Sequence, residues 1–367
     1  MAAWPAAENR VQALRLCLVA LLVAPLAGAQ SRFEDFGHDL AKVRDGLRIS
    51  NLSAAIVESG KIVFRSATSE RAVTGAPLQQ SATAREVMRL VDKGLMSLDD
   101  PVMGLPAGAT VRRVLSHTAD GKPGEEFLYN IEFLRVLSSA VEKMAGEPVR
   151  APAAMEDLEE FAMAPDEPLA SGLGWFSLNY SGERVLWDFG QSDKSSTLLV
   201  KLPARQLTLI VTADSKALAA AAHLEDGNVV RSSVALAFLE DVVLSRKFER
   251  DEMENRAIEA FYFDQKDQSA AILRSALDRY PEMESSDDLT LLRLLSQQNF
   301  PETEASATAV IREHPYLPPA WYYYGMFVEH AKRFRESAAC FEQITEHRPP
   351  WHHWSVSEAK KELSTLQ

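Results

Sequence analysis

Cysteine is almost missing from this chain. It occurs only at Cys17 and Cys340, and because Cys17 sits in a leader-like N-terminal segment, the mature chain keeps one thiol and can form no intramolecular disulfide. Positive charge is scarce as well. With 39 Lys and Arg against 52 Asp and Glu the formal charge is −13, and such an acidic surface repels nucleic acid and anionic membranes. No glycine-rich phosphate loop occurs, and after residue 29 no apolar run is long enough to cross a bilayer. Three histidines near the C-terminus, His347, His352 and His353, lie beside Trp351 and Trp354 without a cysteine partner or a fixed ligand spacing, so a metal site there is the minor reading. No cofactor is implied.

Residues 1–29 carry Arg10 and Arg15, then the run LCLVALLVAPLAG, then Ala27-Gly28-Ala29 before Gln30, the layout of a cleaved secretory signal. The run is short for a membrane span and Pro25 interrupts it, so a retained anchor is the weaker expectation. The expected location is periplasmic or secreted, with a mature chain starting near Gln30. Removing Glu8, Arg10 and Arg15 takes away a net +1 and leaves −14. The remainder, 46% hydrophobic and 25% charged in the whole chain, is ordinary globular material with length enough for two domains.

Pro281, Pro315 and Pro349 stand 34 residues apart twice over, each closing a helical segment: AAILRSALDRYP, ASATAVIREHP and SAACFEQITEHRP. A fixed period of that length is the tetratricopeptide signature. In the last unit Trp321, Gly325, Phe341 and Pro349 fall at the expected spacings, with Gly325 letting two helices approach while Trp321 and Phe341 fill the space between them. The two earlier units keep only the closing helix and its proline. An all-α tetratricopeptide-like array is therefore expected over residues 249–360.

Upstream, residues 52–67 alternate around Ser59-Gly60 and read as a β-hairpin. An amphipathic helix is expected at about 82–95, from Ala84, Val87, Met88, Val91 and Leu95, with Gly94 near its end. A second helix follows at about 131–145, closed by Gly146. Strand-like runs occupy 172–181, 195–203 and 206–214, and a last helix 230–245. Strands at both ends with helices grouped between them predict an antiparallel sheet and the α+β class for residues 30–248.

These words, in this order, resemble the family of class C β-lactamases, D-alanyl-D-alanine carboxypeptidases and related esterases. EVMRLVDKGLMSLDDPV is similar to the family's helix and following loop, TVRRVLSHTAD to its T-I-R-x-L-L-T-H-T-S-G segment, and PGEEFLYNIEFLRVLSSAVEKMAG to P-G-x-x-F-x-Y-S-N with its helix. GLGW and VLWDFGQSDKSSTLLVKLPARQLTLIVTADS are similar to the closing strands. Together the matches cover most of residues 50–245, and they imply a β-lactamase/penicillin-binding-protein-like sheet with a helical domain.

The resemblance also implies a serine hydrolase site, and its three elements are damaged. Family chemistry uses S-x-x-K, in which the serine attacks a carbonyl and the lysine one turn on helps remove its proton. Counting back without a gap from Leu98-Asp99-Asp100-Pro101, the serine position holds Pro77 and the lysine position Gln80. With one turn deleted, the serine becomes Ser81 and the lysine position Ala84; Arg85 beside it stays protonated and is no base. Ser81 and Thr83 have a blander reading as helix caps, Thr83 with Glu86 as a capping box, and it outweighs a nucleophile. In the Y-x-N element Tyr129 stands at the tyrosine but Ile131 at the asparagine, and a packed Tyr129 is weighed slightly above a ligand-facing one. In the strand element, Trp187-Asp188-Phe189-Gly190-Gln191 resembles W-H-Y-G-Q with aspartate for histidine. Asp188 as a general base is weighed below a solvated strand-end carboxylate, and Gly190 and Gln191 remain as ligand-binding candidates. For His117, a helix-end role is weighed above catalysis.

The leading expectation is an exported β-lactamase-related protein without covalent serine chemistry, a binding or scaffolding module whose repeats take a peptide or protein partner. Trp321 and Tyr322, in the run Trp321-Tyr322-Tyr323-Tyr324, are the candidate anchors. The alternative is a working serine hydrolase, esterase, peptidase or β-lactamase-like, using Ser81 with Tyr129 and Asp188 in a rearranged site. A third reading makes the front domain a structural support for the repeats.

Overall fold

The apolar runs build one six-stranded sheet, every pair antiparallel, in the order β2-β1-β6-β5-β4-β3. Its strands are β1 (Leu52–Glu58), β2 (Lys61–Ala67), β3 (Phe176–Tyr180), β4 (Glu183–Gln191), β5 (Ser196–Leu202) and β6 (Leu207–Ala213). The computed structural model describes residues 32–68, 73–120, 123–124, 127–163, 173–280, 318–346 and 354–366, with positions 304, 308, 311 and 312. The leader-like segment, Pro281, Pro315, Pro349, Trp351, His347, His352 and His353 lie outside the described residues.

Central strands β1, β5 and β6 are covered on both faces, which makes them continuous apolar runs, whereas edge strand β2 alternates. On one face Ala54, Ile56, Leu198, Val200, Leu209 and Val211 join Phe36 and Leu40 of helix α1 (32–46) and the helical segments after β6. On the other, Ala55, Val57, Leu199 and Ile210 pack on Met155, Leu158 and Phe161 of α5 (Met155–Met163). A separate helical core is formed by α2 (Gln79–Asp92), α3 (Val111–Leu115) and α4 (Ile131–Ala145), around Val87, Leu90, Val114, Leu134 and Leu137.

Helix α4 matches its expected span, because its ends are written locally. Asn130 accepts from the backbone N–H groups of Glu132 and Phe133, and Gly146 closes it at φ 75°. Helix α2 does not match. It begins at Gln79 and ends at Asp92, and Thr83, expected as a cap, is fully buried inside it and accepts from Gln79 Nε2 at 3.3 Å. The expected helix 230–245 is also corrected. A 3₁₀ turn at Val229–Arg231 leads into α7 (Ser233–Ala237), which passes into a π-helical segment, Phe238–Leu244.

Beyond β6 come the short helix α6 (Ala217–Ala220) and then α7, and past the π-helical segment α8 (Glu249–Tyr262) and α9 (Lys266–Arg279) pack through Ala257, Ile258, Leu273 and Ala276. Helix α8 is tied to the sheet domain: Asn255 donates to Val230 O at 2.9 Å and Tyr180 to Asp251 at 2.6 Å. Farther on, α10 (Pro318–His330), α11 (Phe334–Glu346) and α12 (Trp354–Leu366) share a core of Tyr322, Phe341, Ile344 and Ala359. A Cβ on Gly325 would lie 2.6 Å from the Phe341 ring, so those two helices approach as closely as the glycine allows. Cys340 is free and buried.

Candidate functional site

The segment entering α2 crosses the ends of β4 and β5. Thr197 Oγ1 donates to Ala76 O at 2.7 Å, and Gly190 of β4 lies directly beneath: a Cβ there would be 2.4 Å from Ala76 O and 2.5 Å from Pro77 O. Only glycine permits this backbone contact. Beside it opens a cleft of about 420 Å³, lined by Pro77, Gln79, Gln80, Tyr129, Ile131, Arg135, Phe189, Gly190, Gln191 and Glu225.

Pro77, Gln80, Tyr129 and Ile131, the residues that the ungapped reading of the resemblance sets at its serine, lysine, tyrosine and asparagine positions, all border one cleft with Gly190 and Gln191. Ser81, the candidate nucleophile, does not border it. Its side chain is buried at 1% exposure, and its hydroxyl has no hydrogen-bond partner in good geometry among the described residues.

Asp188 corrects the solvated reading. It is 1% exposed, one oxygen accepting from the backbone N–H of Ser81 at 3.0 Å and the other from that of Phe189 at 2.8 Å. The carboxylate therefore caps the first turn of α2 from a strand 107 residues away, where the helix's own Leu78 offers no side-chain cap. Burial pushes its pKa up to about 6, with the Ser81 hydroxyl and the two backbone N–H groups holding it down in part. This is a structural carboxylate aimed at a helix, not at the cleft.

Tyr129 forms the aromatic wall. Its ring lies 4.8 Å from His117, 5.5 Å from Phe189 and 6.0 Å from Phe176. Burial, then the nearby Asp188 charge, raises its pKa well above the usual phenol range, so it stays protonated and supplies no phenolate base. His117 sits past the end of α3 with φ 53°, its N–H reaching Val114 O at 3.1 Å, in keeping with a helix-end role. Its ring does something that the sequence reading missed: it is 4% exposed, stacked on Phe176, with Nε2 2.7 Å from Gln80 Oε1. A residue at the lysine position is thus tied into the aromatic wall as a neutral amide. Arg85 lies 3.7 Å over the Phe161 ring and takes no part in the cleft.

The C-terminal candidates divide. Tyr322 is buried at 8% exposure, 5.7 Å from the Phe341 ring, so it is a core residue and no anchor. Trp321 is half-buried at the edge of that core, and Tyr324, also half-buried, donates to Glu336 at 2.8 Å. Among the described residues no cluster of three or more His, Cys, Asp or Glu could hold a metal ion, and no helix is long and apolar enough to cross a membrane.

No family profile matches the chain, and no curated protein does. Solved structures similar to it are β-lactamase-like and penicillin-binding-protein-like. One is an octameric penicillin-binding protein homologue from Pyrococcus abyssi, 14% identical over 60% of this chain and 80% of that one, with a TM-score of 0.47. A class C β-lactamase from Rhodobacter sphaeroides is 10% identical over 57% of this chain and 99% of the other, TM-score 0.46. A β-lactamase from Sulfitobacter sp. EE-36 is 11% identical over 59% and 99%, TM-score 0.47.

Proposed function

We propose that this chain is an exported β-lactamase-related protein that has lost covalent serine chemistry and acts by binding, with a peptide or protein partner taken on tetratricopeptide-like helices at its C-terminal end. One observation carries the first half. The cleft at the end of β4 has proline and glutamine at the positions where the resemblance calls for serine and lysine, while Ser81, the alternative nucleophile, is buried and does not line it. An acyl-enzyme needs a nucleophile that reaches the carbonyl and a base that reaches the nucleophile. Among the described residues neither a serine nor a lysine lines this cleft. Support for the repeat reading comes from the period of the three prolines and from the close Gly325–Phe341 contact, and Trp321 is the ring left at the edge of the core.

The test is covalent labelling of the mature chain with a fluorophosphonate and a fluorescent penicillin. The expected result is no incorporation of either. Stoichiometric labelling that disappears in Ser81→Ala would overturn the proposal and make the chain a serine hydrolase with a rearranged site.

A further inference from the structure

A second cleft, of about 550 Å³, opens where α1, the α7–π segment and the α8–α9 hairpin meet. Its walls are apolar along Val43, Leu236, Ala237, Ala260, Phe263 and Ile272, and its rim is charged. At one end the charges are satisfied. Lys247 Nζ lies 2.5 Å from Asp39, 2.7 Å from Asp241, 3.4 Å from Glu240 and 3.8 Å from Glu252, and Lys42 lies 2.7 Å from Asp39. The π-helical winding that carries Glu240 and Asp241 into this cluster is rare, and such segments are frequent at functional sites.

Glu259 is different. Its Oε1 accepts from Ser233 Oγ at 2.5 Å, and among the described residues no donor reaches Oε2 and no cation lies at ion-pair distance. Arg256, exposed on the preceding turn, acts on it only through space. The Oε2 atom faces Gly46 of α1, where the missing side chain leaves room: an added Cβ would sit in van der Waals contact with it at 3.7 Å. A largely enclosed carboxylate thus keeps one open acceptor beside an apolar wall.

We propose that this cleft binds an alkylammonium group, its nitrogen donating to Glu259 Oε2 and its carbon chain lying along the apolar wall. An anion is disfavoured, because both lysines of the rim are already paired and acids outnumber bases there. A neutral apolar guest would cover the carboxylate without pairing it, which is costly. A guanidinium wants two parallel acceptors, and Ser233 already occupies one, so the compact point donor is the better match. The net charge of −13 draws cations toward the chain in general. Two sources share this chemistry, a free amine and the lysine side chain of a peptide. The site stands apart from the cleft below α2 and does not depend on how that cleft is read.

The experiment titrates the full mature chain, by calorimetry or by nuclear magnetic resonance, with hexylammonium, Nα-acetyl-lysine methylamide, hexanol and hexanoate. Both ammonium probes are expected to saturate at one per chain, and hexanol and hexanoate not to saturate. Tighter binding of the lysine derivative would assign the site to a peptide side chain, tighter binding of hexylammonium to a free amine. Glu259→Gln, with unchanged circular dichroism, should weaken hexylammonium about tenfold to a hundredfold, the loss of one charge-assisted hydrogen bond. Gly46→Met, which fills the space opposite Oε2, should abolish binding and serves if the glutamine variant does not fold. Equal binding of hexanol, unaltered binding by Glu259→Gln or by Gly46→Met, or no saturation with either ammonium probe would overturn the proposal.

Discussion

The cleft beneath α2 is lined by three glutamines, a tyrosine and an isoleucine with a single Arg135 and Glu225, whereas the cleft between α1 and α8 has seven charged side chains around an apolar wall. In the first, the one strongly perturbed carboxylate, Asp188, is turned away from the opening and spent on a helix N-terminus. In the second, the carboxylates face the opening, and burial raises both Glu240 and Glu259 to about 7. A perturbed acid marks a functional site only when it can reach a ligand. By that criterion the position inherited from the resemblance is the poorer candidate, and the junction with the C-terminal helices the better one.

The comparison breaks most sharply at Gly190. If the backbone contact with Ala76 and Pro77 is what shapes the first cleft, Gly190→Val should be the most damaging single change there, costing about 3 kcal/mol or more as overpacking against unyielding carbonyls. Urea unfolding of the full chain measures it. A cost below about 1 kcal/mol would show that the segment moves aside, and that the cleft is plastic.

Asp188 gives the next largest effect, and it is pH-dependent. Its folded pKa of about 6 lies above the ordinary 3.8, so the folded chain holds the proton more tightly. The group's contribution to stability is therefore full below pH about 4 and lost as pH rises through about 6, on the order of 3 kcal/mol at most. Asp188→Asn cannot titrate. The variant should flatten the wild-type fall in urea midpoint between those two pH values, while an unchanged slope would assign the titration elsewhere.

These two residues also show where sequence reading stops. The β1–β2 hairpin and α4 were legible because their turn and caps are written within a few positions, at Ser59-Gly60, Asn130 and Gly146. The start of α2 was not, since its capping carboxylate comes from β4, and a local search found Thr83 instead. Likewise the aromatic run at Trp321 has no period that separates buried Tyr322 from half-buried Trp321 and Tyr324; only the helix packed against it decides. The π-helical winding after Ala237 left no signal at all, because an apolar stretch with two acids reads equally well as an α-helix. The cleft positions Pro77, Gln80, Tyr129 and Ile131 could be named in advance because a motif carries fixed spacing. The tie between Gln80 and His117 is a contact across 37 residues and has no such spacing.

At the junction the charges themselves are the object of the test. Lys247→Met leaves Glu240 and Asp241, both buried, without their cation, and should cost roughly 2 kcal/mol at pH 8, less than a fully buried pair because Lys247 is half-exposed. The cost should shrink as pH falls through about 7, where Glu240 takes up its proton. A penalty independent of pH would mean that Lys247 acts through packing, and the contrast between the two clefts would narrow.

The smallest effect belongs to the first cleft and tests whether its polar remnant is structural. Gln80 is 3% exposed and His117 is 4% exposed, and their contact at 2.7 Å joins the lysine position to the aromatic wall. Gln80→Met keeps the length of the side chain and removes the contact to His117 Nε2, so a loss of about 1 kcal/mol is expected. His117→Phe should cost a similar amount by stranding the amide, while keeping a ring against Phe176. Because each single change costs the remaining side chain this one contact while the double change removes both of its members, the double variant should be less destabilised than the two singles added together, with a coupling of about 0.5–1 kcal/mol. Additive costs would mean that the two side chains do not rely on each other, and that the amide at the lysine position is free to face a ligand.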